Sequence, residues 1–192
     1  MDKRQQLVIT AFELFYRQGI HAVGINQILQ VSGIAKKTLY HHFAGKEALV
    51  VATLAYRDAV YLQWLDARLA QGKSTVTAVI DTLFAALDDW INDREQQLTP
   101  FQGCFFINTC GEYGDLGHDI HQQCASHKTA IMTMLADYLQ RTGLAPQAAE
   151  RLATTLCLLK EGVTVQAHVQ GNKQAAINAR QLALMAADCS KI

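Results

Sequence analysis

Two lysines and a threonine, Lys36-Lys37-Thr38, open a short segment that follows a glycine-containing turn at 32–35. The free N–H groups at a helix N-terminus carry a partial positive charge, and lysines placed there extend it towards an anion. Tyr40 adds a hydroxyl on a rigid arm that suits a phosphate oxygen, and Lys46 opens the next segment. These residue types at this spacing predict a phosphate-binding surface.

Two short helices, predicted over 25–32 and 36–43, must position that surface. Two short helices joined by a tight turn containing Gly are typical of a helix-turn-helix, in which the start of the second helix reaches base edges. Leu39 is expected to face inward and to anchor the second helix on the first. Tyr40 could instead be an ordinary buried aromatic, and His42 is expected to pack within the domain rather than contact DNA.

The distribution of charge supports a nucleic-acid partner, although the net charge of the 192 residues is zero. Residues 1–50 carry six Lys or Arg against three Asp or Glu, a net charge of +3. The remaining residues carry eleven against fourteen, a net charge of −3. This asymmetry indicates a basic binding module on an acidic body.

Composition excludes several classes of protein. Half of the residues are hydrophobic and 18% are charged, which excludes a disordered chain. No apolar run approaches the roughly 18 residues of a membrane span, and the N-terminus lacks a signal-peptide pattern, so a cytoplasmic protein is expected. None of the five cysteines forms a CxxC.

The catalytic motifs GxSxG and HExxH and the P-loop are absent, so we expect no enzyme and no cofactor. His118, His121 and His127 do not share one helical face, so no metal site is predicted.

The scarcity of Gly and Pro predicts an all-α fold of about nine helices. Apolar residues at helical spacing, bounded by Gly and Pro, give the segments 2–18, 25–32, 36–43, 46–70, 74–94, 105–113, 119–141, 146–170 and 172–188. A polar loop is predicted over 95–103. We place the domain boundary at the start of the long fourth helix, with a helix-turn-helix domain at 1–46 and a helical body at 47–192.

Residues 25–49 resemble the DNA-binding domain of TetR-family transcriptional regulators. The resemblance rests on Thr-Leu-Tyr-x-His-Phe-x-x-Lys-Glu-x-Leu at 38–49. It implies a homodimer with three N-terminal helices for DNA and about six more for effector binding and dimerisation. It also implies groove contacts by Lys36, Lys37 and Thr38, and phosphate contacts by Tyr40, His41 and Lys46. Gly24 and Ala35 depart from the family pattern, since each replaces a residue whose hydroxyl caps a helix.

In TetR-like proteins the middle helices enclose an effector pocket, and aromatic, sulfur and polar residues cluster in that part of the chain. The resemblance therefore favours a small apolar effector that contacts apolar rings and a few orienting polar groups. The candidate ligand-binding residues are Trp64, Phe84, Phe101, Cys104, Phe105, Asn108, Tyr113 and His127. For most of these residues, a place in the helix core is the alternative.

Gly103-Cys104, followed by Glu112, is similar to a Gly-Cys…Glu motif in one branch of the family, some of whose members sense oxidants or electrophiles. Cys104 is expected in the first turn of a helix, where the helix dipole favours the reactive thiolate. The alternative is an inert buried thiol. Lys160-Glu161 could place a cation in the body, although an exposed pair is the commoner arrangement.

Two apolar stripes in the last two helices are expected to form the dimer interface: Leu152, Leu156, Leu159, Val163 and Gln166, and Ala175, Ala179, Leu182, Met185 and Ala186. The sequence thus predicts a dimeric repressor that leaves a palindromic operator when a small apolar effector binds. A sensor repressor that responds through Cys104 is the first alternative. An enzyme or ligand carrier and an architectural DNA-binding protein are the others.

Overall fold

The computed structural model describes residues 2–98 and 100–189, without the side chain of Cys189. Within those residues the chain forms nine α-helices and no β-strand, which confirms the predicted fold class. The helices are α1 (Lys3–Gln18), α2 (Ile25–Ser32), α3 (Lys36–His42), α4 (Lys46–Ala70), α5 (Val76–Ile91), α6 (Phe105–Glu112), α7 (Asp119–Gln140), α8 (Pro146–Gln170) and α9 (Ala175–Cys189). No helix in this described part has the length and apolarity to cross a membrane.

Local capping sets the helix bounds. The Asp2 side chain accepts the Gln5 N–H at 2.7 Å, so α1 begins one residue after the predicted start. Thr75 caps α5 through the Ala78 N–H at 3.2 Å, and α5 therefore begins later than residue 74. The Asn172 side chain accepts the Gln174 N–H at 3.0 Å and holds a turn where α9 was predicted to begin. A side-chain acceptor that satisfies an otherwise orphaned N–H fixes a helix start more sharply than periodicity does.

The described residues divide into two compact units. The head unit consists of 2–59 and 104–127, and the body unit of 60–98, 100–103 and 128–189. The predicted division at residues 46 and 47 stays a prediction, because α4 runs without a break through that point and α6 belongs to the head unit. Met1 and 190–192, which the predicted domains include, and residue 99, in the predicted loop, lie outside the described residues.

The head unit contains the predicted helix-turn-helix. Gly33 ends α2 with a φ of 68°, a left-handed conformation that glycine adopts without strain. Leu39 is buried, at 0% exposure, which confirms that it faces inward, and Phe43, at 4% exposure, is buried as well. They join Ile28 and Ile34 in one apolar core. Because this core buries one face of α3, the opposite face of the helix points outward.

In the body unit α5, α8 and α9 pack on one another. Leu152, Leu156 and Val163 of α8, and Ala175 and Ala179 of α9, lie in its core. The prediction that these residues form an intermolecular stripe is therefore wrong. The physical reason is that α5 has a nearly continuous apolar face, which buries these five residues within one chain, whereas Leu182 and Met185 of the predicted stripe are exposed.

Candidate functional site

The outward face of α3 presents the predicted DNA-contacting side chains. Lys36, Lys37 and His41 are exposed, Thr38 is half-buried, and Tyr40 is 48% exposed. The Lys36 ammonium lies 5.9 Å from the centre of the Tyr40 ring. A buried Tyr40 is thus excluded, and its hydroxyl can reach an outside partner.

No described carboxylate neutralises the charges on this face. Lys36 and Lys37, together with Lys46 at the start of α4, form no ion pair with any described carboxylate. Cations in the body unit behave differently, because five of them form ion pairs: Arg68, Arg94, Lys128, Lys160 and Arg180. Unpaired lysines beside a helix start are available to phosphate oxygens.

Lys46 is half-buried, and its ammonium lies 6.0 Å from the centre of the Phe15 ring. The attraction between this ammonium and the face of a core aromatic ring restricts where the charge can lie. At the two sites where the sequence departs from the family pattern, Gly24 and Ala35, no side chain caps the helix. The first N–H groups of α3 therefore donate no hydrogen bond to a cap side chain.

Cys104 is the N-cap of α6 rather than a residue of its first turn. Its carbonyl accepts the Asn108 N–H at 3.0 Å, and its side chain is 7% exposed in the head-unit core. Phe105, the first helical residue, meets the rings of Phe12 and Tyr16 edge to face at 5.2 and 6.0 Å. The start of α6 is thereby anchored against α1.

Glu112 ties the other end of α6 to the turn that follows α1. Its carboxylate accepts the Ile20 N–H at 2.7 Å and the His21 N–H at 2.5 Å, and lies 3.3 Å from the His21 ring Nδ1. Gly19, with a φ of 86°, leaves room for this approach, because an added Cβ would meet the Glu112 carboxylate at 3.3 Å. The sequence singled out Glu112 in its motif but did not reveal this contact.

The other predicted ligand residues of the head unit have partners of their own. The His127 ring is buried, stacks on Phe106 at 3.6 Å, and lies 2.6 Å through Nδ1 from the Asp58 carboxylate. Burial raises the pKa of Asp58. Tyr113 meets His118 at 5.2 Å, and burial, followed by the charges of the nearby carboxylates, raises the pKa of its phenol.

Three predicted ligand residues lie in the body unit. The Trp64 indole N–H donates to Glu95 at 2.8 Å, Phe84 is buried at 1% exposure, and Phe101 meets Trp90 edge to face at 5.0 Å. The eight predicted ligand residues are therefore divided between the two units, and their role in effector binding stays a prediction.

The histidines weighed as metal ligands are directed to separate partners. His118 accepts the Ile120 N–H at 3.2 Å, and the His121 ring lies 2.7 Å from the Tyr113 carbonyl. Among the described residues no group of three or more His, Cys, Asp or Glu could hold a metal ion. The four cysteines whose side chains are described form no disulfide.

Two family profiles match the chain, one near its N-terminus and one in its C-terminal part. The profile described as "Bacterial regulatory proteins, tetR family" matches residues 7–53. The profile described as "Transcriptional regulator LmrA/YxaF-like, C-terminal domain" matches residues 78–181. The uncharacterised HTH-type transcriptional regulator YxaF of Bacillus subtilis is 35% identical over 162 residues, which cover 84% of this chain and 82% of YxaF. The HTH-type transcriptional repressor NemR of Escherichia coli is 27% identical over 139 residues, 72% of this chain and 68% of NemR.

Solved structures show the same fold. SCO4454, a TetR-family transcriptional regulator from Streptomyces coelicolor, superimposes with a TM-score of 0.81 at 24% identity, over 96% of this chain and 89% of that one. The reduced form of E. coli NemR superimposes with a TM-score of 0.78 at 24% identity, over 95% of each chain.

Proposed function

Because the chain belongs to the TetR family of transcriptional regulators, with an LmrA/YxaF-like C-terminal domain, we propose that it acts as a dimeric repressor released by a small apolar effector. That it is a DNA-binding transcriptional regulator follows from its family, and relatives such as NemR and ComR are named repressors. Membership of a family of regulators favours this role over an enzyme. The observation that carries the proposal is the unneutralised basic face of α3.

On this proposal α3 enters the major groove, where Lys36, Lys37 and Thr38 meet base edges. Tyr40, His41 and Lys46 contact phosphates on either side and fix the position of the helix. The acidic body stays away from the duplex because of its net negative charge. The zero net charge of the whole chain is therefore compatible with DNA binding.

A homodimer through α8 and α9 would present two copies of α3, about 34–36 Å apart, to successive major grooves. The supporting observation is a row of exposed apolar side chains on these helices. In α8 they recur every four or seven residues, which places them on one face. They are Leu158, Val165 and Val169 of α8, and Ile177, Leu182 and Met185 of α9.

The effector is proposed to act through α6. Cys104, Phe105, Asn108 and Tyr113 lie on this helix or at its ends, and Glu112 joins it to the turn after α1. An effector that binds one position of α6 more tightly than another shifts the head unit towards the arrangement that goes with that position. The difference between the two affinities sets the size of the shift. The arrangement that the effector favours then no longer matches the operator.

A thiol sensor is the second candidate, favoured by the position of Cys104 at the N-terminus of α6. A helix N-terminus stabilises a thiolate, whereas 7% exposure limits the access of an oxidant. Oxidation at this position would disturb the same helix that Glu112 connects to the head. Both candidates thus use one coupling element.

Binding to DNA from upstream of the protein's own gene tests the proposed function, because repressors often regulate themselves. Fluorescence anisotropy compares that duplex with a shuffled duplex of equal length and composition, before and after addition of small apolar compounds. A preference for the upstream duplex that a compound abolishes is the expected result. Equal affinity for both duplexes would indicate an architectural protein, and melting shifts by ligands with no DNA binding would indicate a carrier.

A further inference from the structure

Arg4 is an exposed cation in the first turn of α1, and no described carboxylate forms an ion pair with it. Asp2, the nearest carboxylate along the chain, is the N-cap of α1 and accepts the Gln5 N–H at 2.7 Å. The Arg4 charge contributes to the net charge of +3 on residues 1–50. Neither the sequence motif at 38–49 nor the predicted contacts of α3 and α4 give this charge a role.

Two contacts place Arg4 beside the helix-turn-helix. Its guanidinium lies over the Phe43 ring, 5.3 Å from the ring centre, and Phe43 is the C-cap of α3. The Gln6 side chain, also in α1, donates to the Ser32 carbonyl at the end of α2, at 3.0 Å. The first turns of α1 are thus attached to the ends of α2 and α3. The Arg4 charge therefore lies close to the junction of α3 and α4, where Lys46 begins α4.

The contact with Phe43 restricts the position of the Arg4 charge without using its hydrogen-bond donors. An aromatic ring attracts a guanidinium through its flat face, and the five N–H donors lie in the guanidinium plane. Two parallel N–H groups in this plane can donate to one phosphate group. Phe43 is itself buried in the head-unit core. Arg4 thus combines a restricted position with donors that suit a phosphate.

We propose that Arg4 contacts a phosphate of the operator backbone, next to the phosphate proposed for Lys46, so that the first turn of α1 belongs to the DNA-binding surface. The inference rests on the proposed function, since it adds a contact to the same interface. A phosphate contact carries no sequence information directly. Arg4 therefore adds affinity for any duplex and leaves the preference for the operator unchanged. The tetR-family profile begins its match at residue 7, so this contact lies outside the segment that the profile describes.

Three replacements of Arg4 distinguish a phosphate contact from a purely structural role. Arg4→Met keeps a long side chain on Phe43 without the charge, Arg4→Gln keeps a hydrogen-bond donor without the charge, and Arg4→Lys keeps the charge. Fluorescence anisotropy measures the affinity of the full chain for the upstream and shuffled duplexes over a range of salt. Arg4→Met and Arg4→Gln should weaken binding to both duplexes by the same factor, about eightfold per protomer at roughly 0.1 M salt. They should also reduce the slope of log affinity against log salt by about 0.9 per protomer, whereas Arg4→Lys should keep the wild-type slope.

Arg141→Met is the matched control. Arg141 is also exposed and also lies over an aromatic ring, that of Tyr138 at 4.7 Å, but it belongs to the body unit. This variant should keep the wild-type affinity and slope, and an equal loss of slope in it would overturn the inference.

Wild-type slopes in Arg4→Met and Arg4→Gln would overturn the phosphate contact even if their affinities fall, because a structural effect leaves the number of neutralised phosphates unchanged. A smaller preference for the upstream duplex in these variants would also overturn it, since that result indicates a base contact. Both results leave the proposed function intact as long as the wild-type protein binds DNA. Absence of DNA binding by the wild-type protein would instead overturn the proposed function.

Discussion

Replacement of Glu112 by Ala removes the carboxylate of α6 that accepts two backbone N–H groups of the turn after α1. Two charge-assisted hydrogen bonds are lost, each worth about 1.5–3 kcal/mol. The Glu112 side chain is 23% exposed and its hydrogen bond with the His21 N–H is exposed to solvent, so water replaces part of this energy. The part-buried Ile20 N–H is left without its acceptor. We therefore expect a loss of about 2–3 kcal/mol in the free energy of unfolding.

Glu112→Gln retains one acceptor oxygen and should lose about half as much, roughly 1 kcal/mol. Urea denaturation gives these differences. Glu13→Ala, which removes an exposed glutamate from α1, should lie within about 0.5 kcal/mol of the wild-type protein. The ratio of DNA affinities without and with effector should fall towards one in Glu112→Ala, because α6 no longer moves the turn. Unchanged stability together with an unchanged ratio would refute the coupling role.

Three further predictions concern the dimer, the thiol and the response to acid. Leu158→Glu places a charge on the exposed apolar face of α8 and should give a monomer in sedimentation; a dimer of wild-type affinity would exclude this face. Cys104→Ser should abolish the release of DNA by oxidants if the thiol senses them, and retained release would reject the sensor. Burial raises the pKa of Asp89, but Arg68 and Arg94 outweigh burial and lower the pKa. The ionised Asp89 therefore stabilises the folded protein above roughly pH 3.9, and this stability is lost as the pH falls below that value. Asp89→Asn should therefore destabilise the protein by about 1 kcal/mol at pH 7 and by nothing measurable near pH 2; an equal loss at both values would contradict this.

Much of the fold can be predicted from the sequence because Gly and Pro interrupt otherwise helical segments. The predicted bounds of α2 and α8 are those observed, and the bounds of α5 and α9 shift by two to three residues where Thr75 and Asn172 hold turns. The helix-turn-helix is equally clear, because its core residues and its lysines lie within one short stretch of chain. Periodicity gives the helices, and capping side chains give their ends.

Contacts between distant parts of the sequence could not be predicted. Glu112 and Ile20 are 92 residues apart, and no local pattern indicates that they meet. Lys160 is buried in α8, at 2% exposure, so the interpretation of Lys160-Glu161 as an exposed pair is wrong. This burial depends on the packing of other helices around α8, which the local sequence does not show. The same limit explains the apolar stripes of α8 and α9, since periodicity shows which residues share a face but not what covers it.

The salt dependence of binding shows whether α3 and the start of α4 contact DNA. Fluorescence anisotropy measures the affinity of Lys37→Ala, Lys46→Ala and the control Lys73→Ala, an exposed body lysine, for the upstream and shuffled duplexes over a range of salt. Lys46→Ala should weaken binding to both duplexes and reduce the slope of log affinity against log salt by about one per protomer. Lys37→Ala should reduce the difference in affinity between the upstream and shuffled duplexes. Lys73→Ala should change neither this difference nor the salt slope. Equal affinities and equal salt slopes in all three variants would contradict the proposal that this surface contacts DNA.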